Sequence, residues 1–281
     1  MTLDHHGQLL APVDSQLVPP SAPIIEQIRR AKSKATLRFR IVFLATWLAI
    51  IGTLALALAG SFDGGFVSEW LGYILGGVGI TVLVSVVSIA FAVVFAMLGA
   101  LGRLSNHASI YAAASLYVSL VRGTPLLVQI FFVYYALPEV LPPVAKVPGI
   151  YLGILALSFN YGAYMTEIFR AGIQAVPRGQ SEAAQALGMP ERTVLRRIVL
   201  PQAIRIVIPA IGNEFIAMIK DSSLVSVVAV QELLWRARRA GAQDFNTFEA
   251  LTIAALVYWA LTIAFSLVQD RLEKRMARGD R

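Results

Sequence analysis

The chain alternates long apolar runs with short polar segments, and the apolar runs have the length of helices that cross a lipid bilayer. Ile41–Gly60 carries no charge over 20 positions, enough for a helix to cover a hydrocarbon core of ~30 Å. Further runs follow at Ile74–Leu101, Thr124–Leu141, Gly149–Thr166, Pro201–Ile219 and Phe248–Val268. The pattern predicts an all-α, polytopic membrane protein with six spanning helices. Between the spans, Ser61–Tyr73 reads as an external loop and Ser109–Val121 as an interfacial or packed helix. Leu224–Val230 is too short to cross and reads as a re-entrant or packed segment. Glu232–Asn246 reads as an external or interfacial helix.

Charge orients this pattern. Segments 26–40, 167–200 and 269–281 carry 6, 5 and 5 Lys or Arg residues, whereas the first two intervening loops on the other side hold only Lys146. Basic residues collect on the cytoplasmic side, so both termini are expected there. Lys220, Arg236, Arg238 and Arg239 run against that assignment. Residues 1–40 read as a basic cytoplasmic tail, disordered over the proline-containing first 25 positions, with no cleavable signal sequence. Residues 271–281 read as a second basic cytoplasmic tail.

Composition narrows the chemistry. Hydrophobic residues make up 57% and charged residues 15% of the 281 positions, which fits a membrane protein. The absence of cysteine removes disulfides, thiol nucleophiles and thiolate metal sites. His5, His6 and His107 form no zinc-binding spacing, so no metal site is expected. No lysine follows a glycine, so a Walker A loop is absent, and no Gly-x-Ser-x-Gly occurs. No catalytic residues and no bound cofactor are expected. The net charge of +7 comes from residues flanking apolar runs, which argues against nucleic acid and for contact with lipid.

Polar groups inside the spans remain. A charge at the bilayer centre costs on the order of 2.5–3.5 kcal/mol, so such residues face protein or water. Asn160, Tyr161 and Tyr164 on the fourth span, and Asn213 and Glu214 on the fifth, are candidates for a translocation path. The competing reading is interhelical bonding, for instance Glu214 with Arg205 or Lys220. Arg122 can equally snorkel to the interface.

The longest polar interruption is Pro177–Pro201. Ser181–Leu187 is built from good helix formers, Gly188 sits at a C-terminal cap position, and Pro190 enforces the stop. Glu191–Val199 forms a second short helix. The bare Ala183–Ala184 pair would let another protein approach closely. A plain cytoplasmic loop is the alternative.

Glu182-Ala183-Ala184, followed by Gly188 and by Ile198-Val199-Leu200-Pro201, resembles the EAA loop of ATP-binding cassette (ABC) importer permeases. Arg122-Gly123-Thr124-Pro125, Glu167-Ile168-Phe169-Arg170, Gly212-Asn213-Glu214-Phe215 and Lys220-Asp221-Ser222-Ser223 resemble the polar amino acid branch of that family. The resemblance spans roughly residues 70–270. It implies a five-helix type I permease core, to which Ile41–Gly60 adds one N-terminal helix. It further implies a transport subunit of the bacterial inner membrane that is not itself an enzyme, with Glu182, Ala183, Ala184 and Gly188 contacting a cytoplasmic ATPase dimer. ATP and Mg would belong to that ATPase. An extracytoplasmic amino acid binding protein and a second permease, identical or homologous, would complete the assembly. A self-contained secondary transporter or channel is the alternative.

Overall fold

Asp63 starts the ordered body of the protein by capping a helix. Its carboxylate accepts from the amides of Gly65 (2.7 Å) and Phe66 (3.3 Å). Those two bonds, with one from Asn246, hold its carboxyl below the usual value of 3.8. The computed structural model describes residues 38–39, 41–49, 52–53 and 62–277, and among them every regular element is helical. The disordered segment expected over residues 1–25 and the end of the expected first span lie outside the described residues. Residues 38–39, 41–49 and 52–53 are helical, with Phe39 stacked on Phe43 and Phe43 edge-on to Trp47. Residues 1–62 and 63–281 form two separate units.

The second unit begins with α1 (Gly64–Leu75), where the sequence suggests a loop. The Asp63 cap and two inward residues, Phe66 and Ile74, account for the helix. A turn at Gly76–Gly77 leads to α2 (Val78–Arg103). A side chain on Gly77 would lie 2.6 Å from the Leu233 Cα, so glycine is required for the backbone crossing there.

α3 (Ala108–Arg122) and α4 (Leu126–Val140) are bent by 106° at Gly123–Pro125. Proline has no amide to donate and biases Thr124 away from helix. The freed carbonyls are satisfied locally. Thr124 Oγ1 donates to Leu120 O (2.9 Å), and Gln129 Nε2 donates to Val121 O (2.8 Å). Pro125 stands at the N-terminal cap of α4, one position before the first turn where the sequence places it.

α5 (Gly149–Gln174) packs along α2. Ala92, Ala96 and Gly99 face Leu157, Met165 and Thr166 across this seam, and Thr166 Oγ1 donates to Gly162 O (2.8 Å). Small residues allow this approach, as expected where lipid supplies no hydrophobic drive for association. Near its C-terminal end Arg170 donates twice to Glu167 (3.0 and 2.6 Å), and Arg103 lies 3.4 Å from the same carboxylate.

The chain continues through α6 (Arg178–Ala186), α7 (Glu191–Val194) and a π turn (Leu195–Val199) into α8 (Leu200–Asp221). A buried 3₁₀ segment (Ser222–Val228) follows, then α9 (Leu233–Gln243) and α10 (Thr247–Ala277). The 3₁₀ segment matches the packed reading of Leu224–Val230. Glu232 is fully buried and knits three elements. It caps α9 through the Trp235 amide (2.8 Å) and accepts from Thr81 on α2 and Tyr258 on α10.

Two helical stretches among the described residues, 64–103 and 247–276, are long and apolar enough to cross a membrane, and the α3–α4 pair can act as a third, broken span. Helices α5 and α8 have 26 and 22 residues but carry interior polar groups. The architecture is all-helical with membrane-length helices. Length and composition alone stop short of the count of six.

Candidate functional site

Two regions collect the residues singled out in the sequence. The first is the α6–α7 hairpin. Helix α6 ends in a Schellman motif: Met189 donates to Ala184 O (3.1 Å), Gly188 donates to Gln185 O (2.9 Å), and Gly188 takes φ 79°. An L-residue there is disfavoured by its Cβ, which explains the glycine. Gln202 at the start of α8 donates to Gln180 on α6 and to Ile198 O, tying the hairpin to α8.

Glu182, Ala183 and Gly188 are exposed, but Ala184 is 4% exposed. The alanine pair is thus not one bare face. Consecutive helical residues point about 100° apart, and Ala184 closes the hairpin while Ala183 faces out. The sequence reading overlooked Leu187, which is 84% exposed at the tip. It lines a groove of about 510 Å³ with Ala183, Met189, Ile198 and Arg197. Arg178, Arg192 and Arg196 are also exposed around the hairpin. The tip is apolar and ringed by arginines. The signal in the sequence is a leucine immediately before a capping glycine, in an otherwise polar stretch.

The second region lies where α5 faces α8. Tyr161 is buried and donates to Asp221 Oδ2 (2.8 Å). Glu214 stands seven residues before Asp221, two turns away on the same face of α8. Tyr164, one turn along α5 from Tyr161, is 39% exposed and carries the Arg122 guanidinium over its ring at 5.3 Å. Asn213 is exposed and Glu214 partly so. The expected alternative of a Glu214 bridge to Arg205 or Lys220 is not formed. Glu167, by contrast, gathers Arg103 and Arg170.

Asn160 stands apart from this group. It is buried and donates to Gln129 Oε1 (3.0 Å), whose own amide holds the α3–α4 break. That bond ties α5 to α4. Tyr161, a path candidate from the sequence, joins α5 to α8 through Asp221, which the sequence reading had not singled out. The i, i+7 spacing of Glu214 and Asp221 was the available signal. Among the described residues no group of His, Asp and Glu is arranged to hold a metal ion.

The family model described as the inner membrane component of binding-protein-dependent transport systems matches residues 88–278. The L-cystine transport system permease protein TcyB of Bacillus subtilis (strain 168) is 40% identical over 204 residues, 72% of this chain and 86% of that protein. The arginine transport system permease protein ArtQ of the same organism is 36% identical over 208 residues, 74% of this chain and 94% of that protein. A crystal structure of an amino acid ABC transporter with histidines superposes with a TM-score of 0.72 at 35% identity, covering 76% of this chain and 99% of that one.

Proposed function

The chain belongs to the family of inner membrane components of binding-protein-dependent transport systems, and on that premise we propose that it is the permease subunit of an ABC importer for polar amino acids. The observation that carries this reading is the Schellman-capped hairpin, which holds Glu182, Ala183, Leu187 and Gly188 as one exposed tip. A cytoplasmic ATPase dimer grips that tip, and ATP and Mg bind there, on the partner. Residues 70–270 form the transport domain with six spans counting Ile41–Gly60, both termini are cytoplasmic, and the membrane is the bacterial inner membrane. A second permease, identical or homologous, faces this one across the pathway.

Mechanically the hairpin is a lever. Closure of the ATPase dimer draws two hairpins together, and Gln180 and Gln202 pass the movement to α8. Because α8 carries Glu214 and Asp221, the polar path shifts with it. A ligand biases such a two-state element only through its different affinity for the two states. The amino acid ammonium, common to every substrate of this class, pairs with Glu214 and Asp221, while Tyr161 and Tyr164 line the path and Asn213 lies on its exposed side.

The test is gentle purification of the tagged chain from its native host, mass spectrometry of what accompanies it, and uptake of labelled arginine, glutamine and cystine by the reconstituted complex. A stoichiometric ATPase and ATP-dependent uptake are expected. Glu214→Gln with Asp221→Asn should lower uptake tenfold or more, roughly one lost charge-assisted contact each, with the ATPase still bound. Flux through the chain alone, with no ATPase, would overturn the assignment.

A further inference from the structure

Phe245, in the link between α9 and α10, is held in a conformation that a bulky side chain rarely adopts. Its φ is 60° and it is 93% exposed. Glycine or asparagine is the ordinary occupant of such a position. The ring itself packs on almost nothing. The surrounding structure nevertheless fixes the backbone on both sides. Asp244 accepts from the Trp70 indole N–H (2.6 Å), and Asn246 donates to Asp63 (3.1 Å). The Asp63 amide in turn donates to Glu249 on α10 (3.1 Å). Strain maintained in this way points to a use for the residue.

The surroundings indicate the use. Ala242 and Thr247, on either side of Phe245, belong to the wall of a cleft of about 650 Å³ that also contains Arg238, Arg239 and Ala229. Ala229 is the second non-glycine residue with positive φ, at 61°. Arg238 and Arg239 are exposed and make no ion pair or hydrogen bond among the described residues. They are also two of the basic residues that run against the cytoplasmic bias of the chain, which removes membrane orientation as a reason for them.

We infer that Phe245 and the cleft bearing Arg238 and Arg239 form the docking point for the extracytoplasmic binding protein, which presents an apolar socket edged by carboxylates. This rests on the proposed function, which puts the α9–α10 link outside and supplies the partner. The rigid aromatic anchors the contact, as aromatic residues do at the energetic centres of interfaces, and the arginines steer an acidic face toward it. An aromatic anchor in the lipid headgroup layer would also be exposed, but Phe245 sits between Asp244 and Asn246 and needs no fixed backbone for that task.

The experiment uses the permease–ATPase complex in nanodiscs, titrated with the binding protein isolated with the same transport system. Phe245→Gly removes the ring and relieves the backbone, so the thermal midpoint should hold or rise and unstimulated ATPase activity should stay the same. The binding protein concentration giving half-maximal stimulation should rise roughly tenfold or more. Arg238→Glu with Arg239→Glu should raise it as well and flatten its dependence on salt. A stimulated wild-type complex with an unchanged Phe245→Gly titration overturns the inference alone. Loss of membrane abundance with normal stimulation overturns it in favour of a lipid anchor. A wild-type complex that no binding protein stimulates overturns the inference together with the proposed function.

Discussion

Gly188 offers the sharpest test of the lever, because backbone effects can be separated from contact effects at that position. A Cβ added there meets nothing within 4 Å, so substitution adds no clash inside the hairpin. What it adds is the penalty of φ 79° for a side chain, about 1–2 kcal/mol for an ordinary L-residue. Asparagine and aspartate tolerate this region better than alanine, and a β-branched residue tolerates it least. A penalty near 1 kcal/mol lowers the population of the capped tip about fivefold relative to its alternatives. The membrane core should not respond, since its buried residues lie on α2, α4, α5, α8 and the 3₁₀ segment.

Substrate uptake per ATP hydrolysed is therefore expected to fall in the order Gly188, Gly188→Asn, Gly188→Ala, Gly188→Val, at constant membrane abundance and thermal midpoint. Gly188→Asp then isolates charge, because it matches asparagine in size and backbone tolerance. If the tip enters a protein cleft, an added carboxylate at this site should abolish coupled uptake where asparagine only weakens it. Equal uptake for Gly188→Ala and wild type, or asparagine behaving worse than valine, would refute the argument from φ. Equal uptake for aspartate and asparagine would refute docking at this point.

Two further substitutions separate docking from packing. Leu187→Asn removes a side chain that is 84% exposed, so the thermal midpoint should not change. ATPase retention on an affinity column should fall, since burying a leucine on docking contributes about 1.5–3 kcal/mol. Gly99→Val acts oppositely. Its first added carbon would lie 2.2 Å from Thr166 Oγ1 in the α2–α5 seam, and overpacking of this kind costs about 1–3 kcal/mol. The thermal midpoint in detergent should drop, and Thr166→Ala should recover part of the loss. An unchanged midpoint would mean that the seam is looser than the structure has it.

Much of this was legible in the sequence, and where it was not, the reason is tertiary. The hairpin could be read because its stops are local: Pro177, Gly188 and Pro190 act on their own backbone. Helix α1 could not, since Phe66 and Ile74 acquire their inward role only when α9 packs beside them. Ala184 and Ala183 look alike in sequence, and only closure of the hairpin divides them. Asn160 and Glu214 looked equally suited to a path, yet Gln129, 31 residues away, claims Asn160, whereas the bridges imagined for Glu214 do not form. Phe245 is hidden most completely, because the hydrogen bonds that impose its φ come through Trp70 and Asp63, far away in the chain.

The same distinction bears on how many chains make the pathway. Helix α8 exposes Asn213 and Lys220 and leaves Glu214 partly exposed. A helix with this face cannot turn it to hydrocarbon without the cost of an uncompensated charge, several kcal/mol at the bilayer centre. Among the described residues, α5 and α10 pack on α8 through Tyr161–Asp221 and Gln269–Pro209 and leave Asn213 and Lys220 uncovered. The uncovered face must therefore look onto water or onto another protein. A second permease across a hydrated passage satisfies both conditions, so the polarity that keeps α8 from reading as an ordinary span is itself an argument for a paired assembly.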